Sequence, residues 1–274
     1  MGSKERAVTA MQINALSPAC GVEITGADAR ALSDDEVATI ERLLCDYGVV
    51  VLRDQSLDIP AQRAFAARFG DPMRFPFGAP VRADVPEVHA IATDGSGPKV
   101  GNADIWHADA TFMPAPPMVT MLRAVELPPS GGDTLFSSMY GAYEMLSPAV
   151  RALVDECTAT HDFRHSVSHR SPLDDEYPPV SHPMARTHPV TGRRALYVNR
   201  IFTVRIDGVR DRESEALLPM LCDLATTPDL QCRVRWAPGS VVMWDNRCVQ
   251  HYATYDYAGP RVMHRLLLAG DRPA

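Results

Sequence analysis

The pattern of apolar and polar positions predicts a chain of many short strands and a few helices. Ser33-Asp34-Asp35-Glu36 combines an N-cap serine with a glutamate at the third helical position, which is a capping box. Gly48 ends that predicted helix, and the apolar run Val49–Leu52 after it is typical of a strand buried on both faces. Further strands are predicted at 105–112, 118–125, 134–138, 158–163, 195–198, 231–236, 241–245 and 261–268, and helices at 60–69, 211–224 and, as two short pieces, 139–157.

This order of elements predicts a mainly β protein with flanking helices (α+β) around a jelly-roll core, or double-stranded β-helix. All-β folds often reach 274 residues as one unit, so we expect a single domain over 1–274. The stretch 75–101 is rich in Pro, Gly and Asp and predicts a long loop with one short strand near 88–91. Long loops in compact domains are often functional, so this one is a candidate active-site lid.

The composition argues against a nucleic-acid-binding, membrane-spanning or secreted protein. A net charge of −7 is the opposite of the basic balance expected of a nucleic-acid-binding domain. No window approaches the roughly 18 consecutive apolar residues of a membrane span, and residues 1–8 lack the apolar core of a secretory signal. The six cysteines are scattered without a C-x-x-C pair, which predicts reduced thiols and a cytoplasmic protein.

The triplet His107-Ala108-Asp109 is the first candidate for chemistry. On an extended strand, residues i and i+2 point to the same face, so the imidazole and the carboxylate would lie side by side. They would form two thirds of a two-His-one-carboxylate site, which suits non-haem Fe(II) and leaves coordination positions open. Such triplets also arise by chance, so the prediction depends on a third ligand.

His251 is the candidate third ligand among nine histidines, because it follows the buried-looking strand 241–245. The pattern alone does not separate it from a structural or surface histidine. A metal group formed by His161, His165 and His169 is disfavoured, since their four-residue spacing falls in a segment with loop-like composition.

Arg261 and Arg265 share a parity on the last predicted strand, so both point to one face. Two guanidinium groups on an inward face are costly unless they meet anions, and arginine pairs well with carboxylates. Solvated arginines on an edge strand are the other interpretation of the same pattern.

Several motifs, in order along nearly the whole chain, carry a resemblance to a known family. They are Trp106-His107-Ala108-Asp109-Ala110-Thr111-Phe112, Pro128-Pro129-Ser130-Gly131-Gly132-Asp133-Thr134-Leu135, Thr187-His188-Pro189, Trp244-Asp245-Asn246-Arg247, His251-Tyr252-Ala253 and Arg261-Val262-Met263-His264-Arg265. In these motifs the chain resembles the taurine dioxygenase-like Fe(II)/2-oxoglutarate-dependent dioxygenases, a group that includes phenoxyalkanoate herbicide dioxygenases.

The resemblance implies a role for each matching residue. It makes His107, Asp109 and His251 the iron ligands, and it makes Thr134 and Arg261 the residues that hold the distal carboxylate of 2-oxoglutarate. Residues that match positions at or near the substrate are Arg265, which would meet an anionic group, and Phe75, Asn102, Ala110, Phe112 and Phe202. Fe(2+), the cosubstrate 2-oxoglutarate and O2 are therefore implied, with a small organic acid as substrate. We also expect a homo-oligomer.

One departure concerns the substrate. The taurine enzyme has a histidine where this chain has Phe75, and a phenyl ring cannot donate a hydrogen bond to a sulfonate. Taurine is therefore a doubtful substrate, and a larger or more apolar organic acid fits better.

Three alternatives stand beside substrate hydroxylation. His/His/Asp also suits Zn2+, so a metal hydrolase is one alternative, although it does not explain Thr134 with Arg261. An inactive jelly roll is another, and no residue favours it. The third is an iron enzyme that desaturates or cyclises its substrate.

Overall fold

The computed structural model describes residues 11–77, 79–94, 103–166 and 175–274. Within these ranges the helices are α1 Asp34–Tyr47, α2 Ile59–Ala66, α3 Met139–Glu144, α4 Pro148–Glu156 and α5 Asp211–Asp223. The strands are β1 Gln12–Ala15, β2 Val22–Thr25, β3 Val49–Leu52, β4 Pro72–Met73, β5 Pro80–Arg82, β6 Val85–Thr93, β7 Val119–Glu126, β8 Thr134–Ser138, β9 Thr158–His161, β10 Val180–Pro183, β11 Ala185–Thr187, β12 Arg194–Leu196, β13 Thr203–Ile206, β14 Gln231–Val234, β15 Val241–Asp245, β16 Val249–Ala253 and β17 Arg261–Leu268.

Two facing sheets form the core of the fold. The larger sheet has the order β1-β2-β3-β15-β7-β17-β6-β5, with β4 also paired to β17. The smaller sheet has the order β14-β8-β16. Its pairings are antiparallel, as are those of the larger sheet except for β2 with β3. Strands from distant parts of the chain therefore become neighbours, as the predicted jelly roll requires.

Alternate residues along a strand of the larger sheet pack on opposite faces of that sheet. Val49 and Val51 belong to the apolar cluster between the sheets, together with Phe136 of β8. Val50 and Leu52 belong to a second cluster on the opposite face, where Ile40 of α1 covers them. Side chains of a strand alternate between faces, so a continuous apolar run is what a strand buried on both sides requires.

The predicted capping box at the start of α1 is present. The Ser33 hydroxyl accepts a hydrogen bond from the Glu36 backbone N–H, and the Glu36 carboxylate accepts from the Ser33 backbone N–H. Gly48 ends the helix with φ of 74°, a left-handed conformation that glycine adopts without steric cost. The chain then enters β3, so this turn fixes where the central strand begins.

The predicted strand over 105–112 is wrong. Only His107 pairs, through an isolated antiparallel bridge to His251, and turns follow it. Ala110 has φ of 50°, which a regular strand excludes. The helix predicted at 60–69 also ends earlier, at Ala66.

The segment 75–101 holds more strand than expected. Beyond the short strand predicted near 88–91, β5 is present and β6 extends from Val85 to Thr93, paired with β17. Residues 95–101 of this candidate lid lie outside the described residues.

Two further findings bear on the sequence predictions. No helix within the described ranges has both the length and the apolar character needed to span a membrane. All six cysteines are free thiols, and five of them are buried.

Candidate metal and cosubstrate site

The bridge between residues 107 and 251 brings the two histidines of the candidate site together. The His251 backbone N–H donates to the His107 carbonyl at 2.8 Å, and the reciprocal bond is 3.2 Å. The two ring centroids lie 4.1 Å apart. Each Nε2 is 4.0 Å from Oδ1 of Asp109, and all three side chains are buried.

The donor set fits a divalent transition metal. One ligand atom from each of the three residues lies within 4.8 Å of the others, which gives two imidazole nitrogens and one carboxylate oxygen. His107 Nδ1 lies 2.7 Å from the Ile105 carbonyl, which can only accept, so Nδ1 carries the proton and Nε2 keeps its lone pair. Such a second bond fixes the orientation of a metal-binding imidazole.

The protonation states of the three groups also favour metal binding. Burial lowers the pKa of His107 below its ordinary value. Burial, together with the neighbouring His107, lowers the pKa of His251 to about 3. Burial opposes the charge of Asp109, but His251, Arg265 and His107 hold the pKa of this carboxyl below its ordinary value. At neutral pH the site therefore presents two neutral imidazoles and a carboxylate, the forms that bind metal.

Thr120 and Asn246 hold the Asp109 carboxylate in one orientation. The Thr120 hydroxyl donates to Asp109 Oδ2 at 2.6 Å, and Asn246 Nδ2 donates to the same hydroxyl at 2.9 Å. Asn246 Oδ1 accepts from the Asp109 backbone N–H and from the Trp244 indole. With Oδ2 engaged in this way, Oδ1 is the oxygen that faces the two histidines.

We expect Thr120→Val to lower the affinity for Mn(II) by about 10- to 100-fold, the range for groups that orient a metal ligand. Valine keeps the shape but leaves Asp109 Oδ2 and Asn246 Nδ2 without their hydroxyl partner. An EPR titration of the metal-free protein measures the effect, with Thr120→Ser as the control that keeps the hydroxyl. Unchanged affinity in the valine variant would show that Asp109 does not depend on this bond.

A cavity of about 100 Å³ opens beside the three residues and extends to Thr134, Arg261 and Arg265. The Thr134 hydroxyl accepts a hydrogen bond from the Trp236 indole at 3.1 Å, so its own hydrogen is free to donate to a bound acceptor. The predicted metal-ligand and cosubstrate residues thus meet around one enclosed space.

Arg261 is only 7% exposed, yet in the described part of the chain it has no carboxylate partner. Its Nε donates to the Gly132 carbonyl at 3.2 Å, and its guanidinium lies 5.9 Å from the centroids of both Trp236 and Tyr257. A Cβ on Gly132 would approach the Arg261 side chain to 3.1 Å, so glycine gives the arginine room. The remaining guanidinium donors are available to an anion.

The predicted substrate-side residues divide into two groups. Phe75, Ala110, Phe112 and Phe202 lie in one buried cluster, in which the rings of Phe112 and Phe202 are 5.1 Å apart. The Arg265 guanidinium lies over the Phe75 ring, 4.6 Å from its centroid. Asn102 lies outside the described residues.

Sequence reasoning missed several residues of this region. Phe163, Ile201 and Tyr177 also belong to the aromatic cluster that contains Phe75, Phe112 and Phe202. Trp236 and Tyr257 flank Arg261. They come from loops and short elements whose apolar residues show no periodicity, so no local pattern indicated them.

A second cluster, Cys45, His188 and Asp245, has its polar atoms engaged. His188 Nδ1 accepts from the backbone N–H groups of Val190 and Thr191, so Nε2 carries the proton and donates to Asp245 at 3.0 Å. Arg247 donates to both oxygens of Asp245. Burial raises the pKa of Cys45 to about 11, so it is a thiol at neutral pH. This cluster stabilises the fold and offers no lone pair to a metal.

Comparison with known proteins shows which family the chain belongs to. The model of the family "Taurine catabolism dioxygenase TauD, TfdA family" matches residues 12–267. The chain belongs to the TauD/TfdA family. Its relatives in that family include an alpha-ketoglutarate-dependent sulfate ester dioxygenase of Pseudomonas putida, 32% identical over 96% of this chain and 91% of the relative. Another is an (S)-phenoxypropionate/alpha-ketoglutarate-dioxygenase of Sphingobium herbicidovorans, 34% identical over 96% of both chains.

Two solved structures superpose over almost the whole chain. A taurine dioxygenase from Burkholderia xenovorans gives a TM-score of 0.84 at 38% identity, covering 97% of this chain and 91% of that chain. AAD-2 in complex with Mn(II) and N-oxalylglycine gives a TM-score of 0.84 at 27% identity, covering 97% and 99%.

Proposed function

We propose that the protein is an Fe(II)- and 2-oxoglutarate-dependent dioxygenase that hydroxylates a small, apolar organic acid. Bound Fe(II) supplies the oxidative chemistry, in which the substrate R–H, 2-oxoglutarate and O2 become R–OH, succinate and CO2. One observation carries the proposal: the His107, Asp109 and His251 ligand atoms border the same cavity as Arg261, a buried arginine available to an anion.

Each side chain around the cavity has a distinct task in this proposal. His107 Nε2, His251 Nε2 and Asp109 Oδ1 hold the metal. Arg261 and the Thr134 hydroxyl bind the distal carboxylate of 2-oxoglutarate, because charge-assisted bonds from a guanidinium are strong and directional. The similar structure of AAD-2 holds Mn(II) and N-oxalylglycine, a compound that carries two carboxylates, as 2-oxoglutarate does, and this supports the proposal.

The substrate class follows from Arg265 and the aromatic cluster. Arg265 is a cation at the cavity wall beside the Phe75 ring. Phe112 and Phe202 extend the apolar surface next to it. The named substrates of two relatives, a sulfate ester and (S)-phenoxypropionate, are both organic anions with an apolar part. A zinc hydrolase would use neither Arg261 nor Thr134 as they are placed.

A substrate panel scored by succinate release tests this function. The panel contains sulfate esters, phenoxy acids, sulfonates including taurine, and amino-acid derivatives. We expect turnover with an apolar sulfate ester or phenoxy acid and poor turnover of taurine. Product analysis separates hydroxylation from desaturation or cyclisation. Efficient turnover of taurine with tight binding would contradict the proposed substrate class, and turnover without O2 and 2-oxoglutarate would contradict the reaction.

Arg265→Ala should weaken substrate binding by about 10- to 100-fold, because a hydrogen-bonded cation is lost from a buried anion site. The KM for 2-oxoglutarate should stay within about twofold of the wild-type value. Steady-state KM values for both compounds, measured with an active substrate from the panel, give the two quantities. An equal rise in both KM values would show that Arg265 does not act on the substrate alone.

A homo-oligomeric assembly and a cytoplasmic location remain predictions from the sequence. Light scattering coupled to size-exclusion chromatography tests the former.

A further inference from the structure

Three cross-strand pairs line the inner face of β6 and β17. Arg261 is opposite Thr93, Met263 is opposite Ile91, and Arg265 is opposite His89. Directly opposed residues of an antiparallel pair point to the same face. Ile91, Thr93, Arg261 and Arg265 all line the cavity, which identifies this face as the one that carries the site. His89 therefore lies on the same face as these four residues and directly opposite Arg265.

Each arginine of this row lies opposite a polar side chain of β6. Arg261 has the hydroxyl of Thr93 across from it, and Arg265 has the imidazole of His89. The apolar pair of Met263 and Ile91 separates them. Four residues along a strand correspond to about 13 Å of backbone. The face thus offers two separate places for anions, one at Arg261 for the cosubstrate and one at Arg265.

His89 is an unusual histidine for a structural role. It is only 2% exposed, and neither ring nitrogen makes a hydrogen bond of good geometry among the described residues, although the Glu87 backbone lies close to the ring. Burial, with the nearby charge of Arg265, lowers the pKa of His89, so the ring is neutral with one N–H donor. An unsatisfied buried polar group of this kind costs stability, and in native proteins it often has a functional explanation.

The Arg265 guanidinium also has an unsatisfied hydrogen-bond donor among the described residues. Its Nε has no hydrogen-bond partner within the described ranges, its guanidinium lies over the Phe75 ring, and the carboxylate of Asp109 interacts with its charge. Phe75 provides surface and no hydrogen bond. A tetrahedral or planar oxyanion has several acceptor oxygens, so it can satisfy the guanidinium and still accept from a second donor.

We propose that His89 is a specificity-determining residue, which donates a hydrogen bond to the oxyanion of the substrate next to Arg265. The ligand class is an organic sulfate, sulfonate or carboxylate with an apolar body. This inference deepens the proposed function and rests on it. In this proposal His89, on β6, donates the second hydrogen bond to the anion, which the phenyl ring of Phe75 cannot donate.

Equilibrium titration of the Mn(II)- and N-oxalylglycine-loaded protein tests this role without turnover. The probes are hexyl sulfate and 4-chlorophenoxyacetate, and the measured quantities are their Kd values and the Kd of N-oxalylglycine. His89→Leu should weaken the binding of at least one probe about tenfold or more, since the bond is made to a charged group. N-oxalylglycine should bind within about twofold of wild type. His89→Asn, which keeps an N–H donor, should recover part of the lost affinity.

His264→Gln is the matched control. His264 precedes Arg265 on β17 but points to the opposite face, where its Nδ1 accepts from Arg123 at 2.8 Å. It is buried as His89 is, so its replacement perturbs the same pair of strands without touching the cavity face. If His89→Leu does not fold, His89→Met replaces it, because the unbranched thioether chain adapts to an irregular space.

The outcomes separate the two levels of the proposal. Wild-type affinity for both probes in His89→Leu, or an equal loss in His264→Gln, would overturn the role of His89 and leave the dioxygenase function intact. A loaded wild-type protein that binds neither probe would overturn the anion site. Failure of the wild-type protein to bind Mn(II) with N-oxalylglycine would overturn the proposed function itself.

Discussion

Asp109→Ala should abolish metal binding, with a loss of Mn(II) affinity greater than about 100-fold. Removal of a group that only orients a ligand already costs 10- to 100-fold, and Asp109 is the sole carboxylate of the described triad. EPR titration of the metal-free protein measures the affinity directly. Asp109→Asn tests the charge separately, because the amide has nearly the same shape but is a weak ligand.

Thermal unfolding gives an independent measure of the same prediction. Ligand at about 100 times its Kd adds about 2.7 kcal/mol to the free energy of unfolding, so Mn(II) should raise the Tm of the wild-type protein. The Tm of Asp109→Ala should not respond to Mn(II). Asp84→Ala, which removes an exposed carboxylate that does not line the cavity, should respond as the wild type does. Wild-type Mn(II) affinity in Asp109→Ala would remove this residue from the ligand set.

Arg261→Ala should raise the KM for 2-oxoglutarate by about 100-fold while metal affinity stays unchanged. The guanidinium is buried, and bonds from a charged donor to a carboxylate each contribute about 1.5–3 kcal/mol. Arg261→Lys should recover only part of the loss, because an ammonium keeps the charge but lacks the planar fork. Succinate release at varied 2-oxoglutarate concentrations gives the KM.

Arg261→Ala and Arg265→Ala serve as controls for one another, because each should change the binding of a different compound. Arg261→Ala should affect the cosubstrate, and Arg265→Ala should affect the substrate, although the two residues lie on the same strand and face. Unchanged 2-oxoglutarate dependence in Arg261→Ala would contradict its assignment to the cosubstrate.

Much of the fold was predictable because its central strands have strong local patterns. The bounds of β3, β8, β15 and β17 are those that the sequence predicted. Each of these strands is a short run of largely apolar residues ended by Gly, Pro, Asp or a helix start. β16 was not predicted, since Val249–Ala253 contains a glutamine and a histidine in its middle, and its burial depends on pairing with β8.

The site was predicted in part for a reason that proved wrong. His107 and Asp109 converge without a regular strand, because a single bridge to β16 and a turn with positive φ at Ala110 orient them. Local pattern could not select His251 from nine histidines, and the family resemblance did so. His89 was passed over because a single histidine in a strand has no distinguishing pattern, and only its cross-strand partner makes it informative.

The most direct test of the central claim is an anaerobic absorption titration of the wild-type protein with Fe(II) and 2-oxoglutarate. Two histidines, one carboxylate and the buried Arg261 should allow both to bind, which predicts a weak visible charge-transfer band that needs both components. The band should be lost in Asp109→Ala. Absence of the band in folded wild-type protein, or a band that persists in Asp109→Ala, would contradict the proposed site.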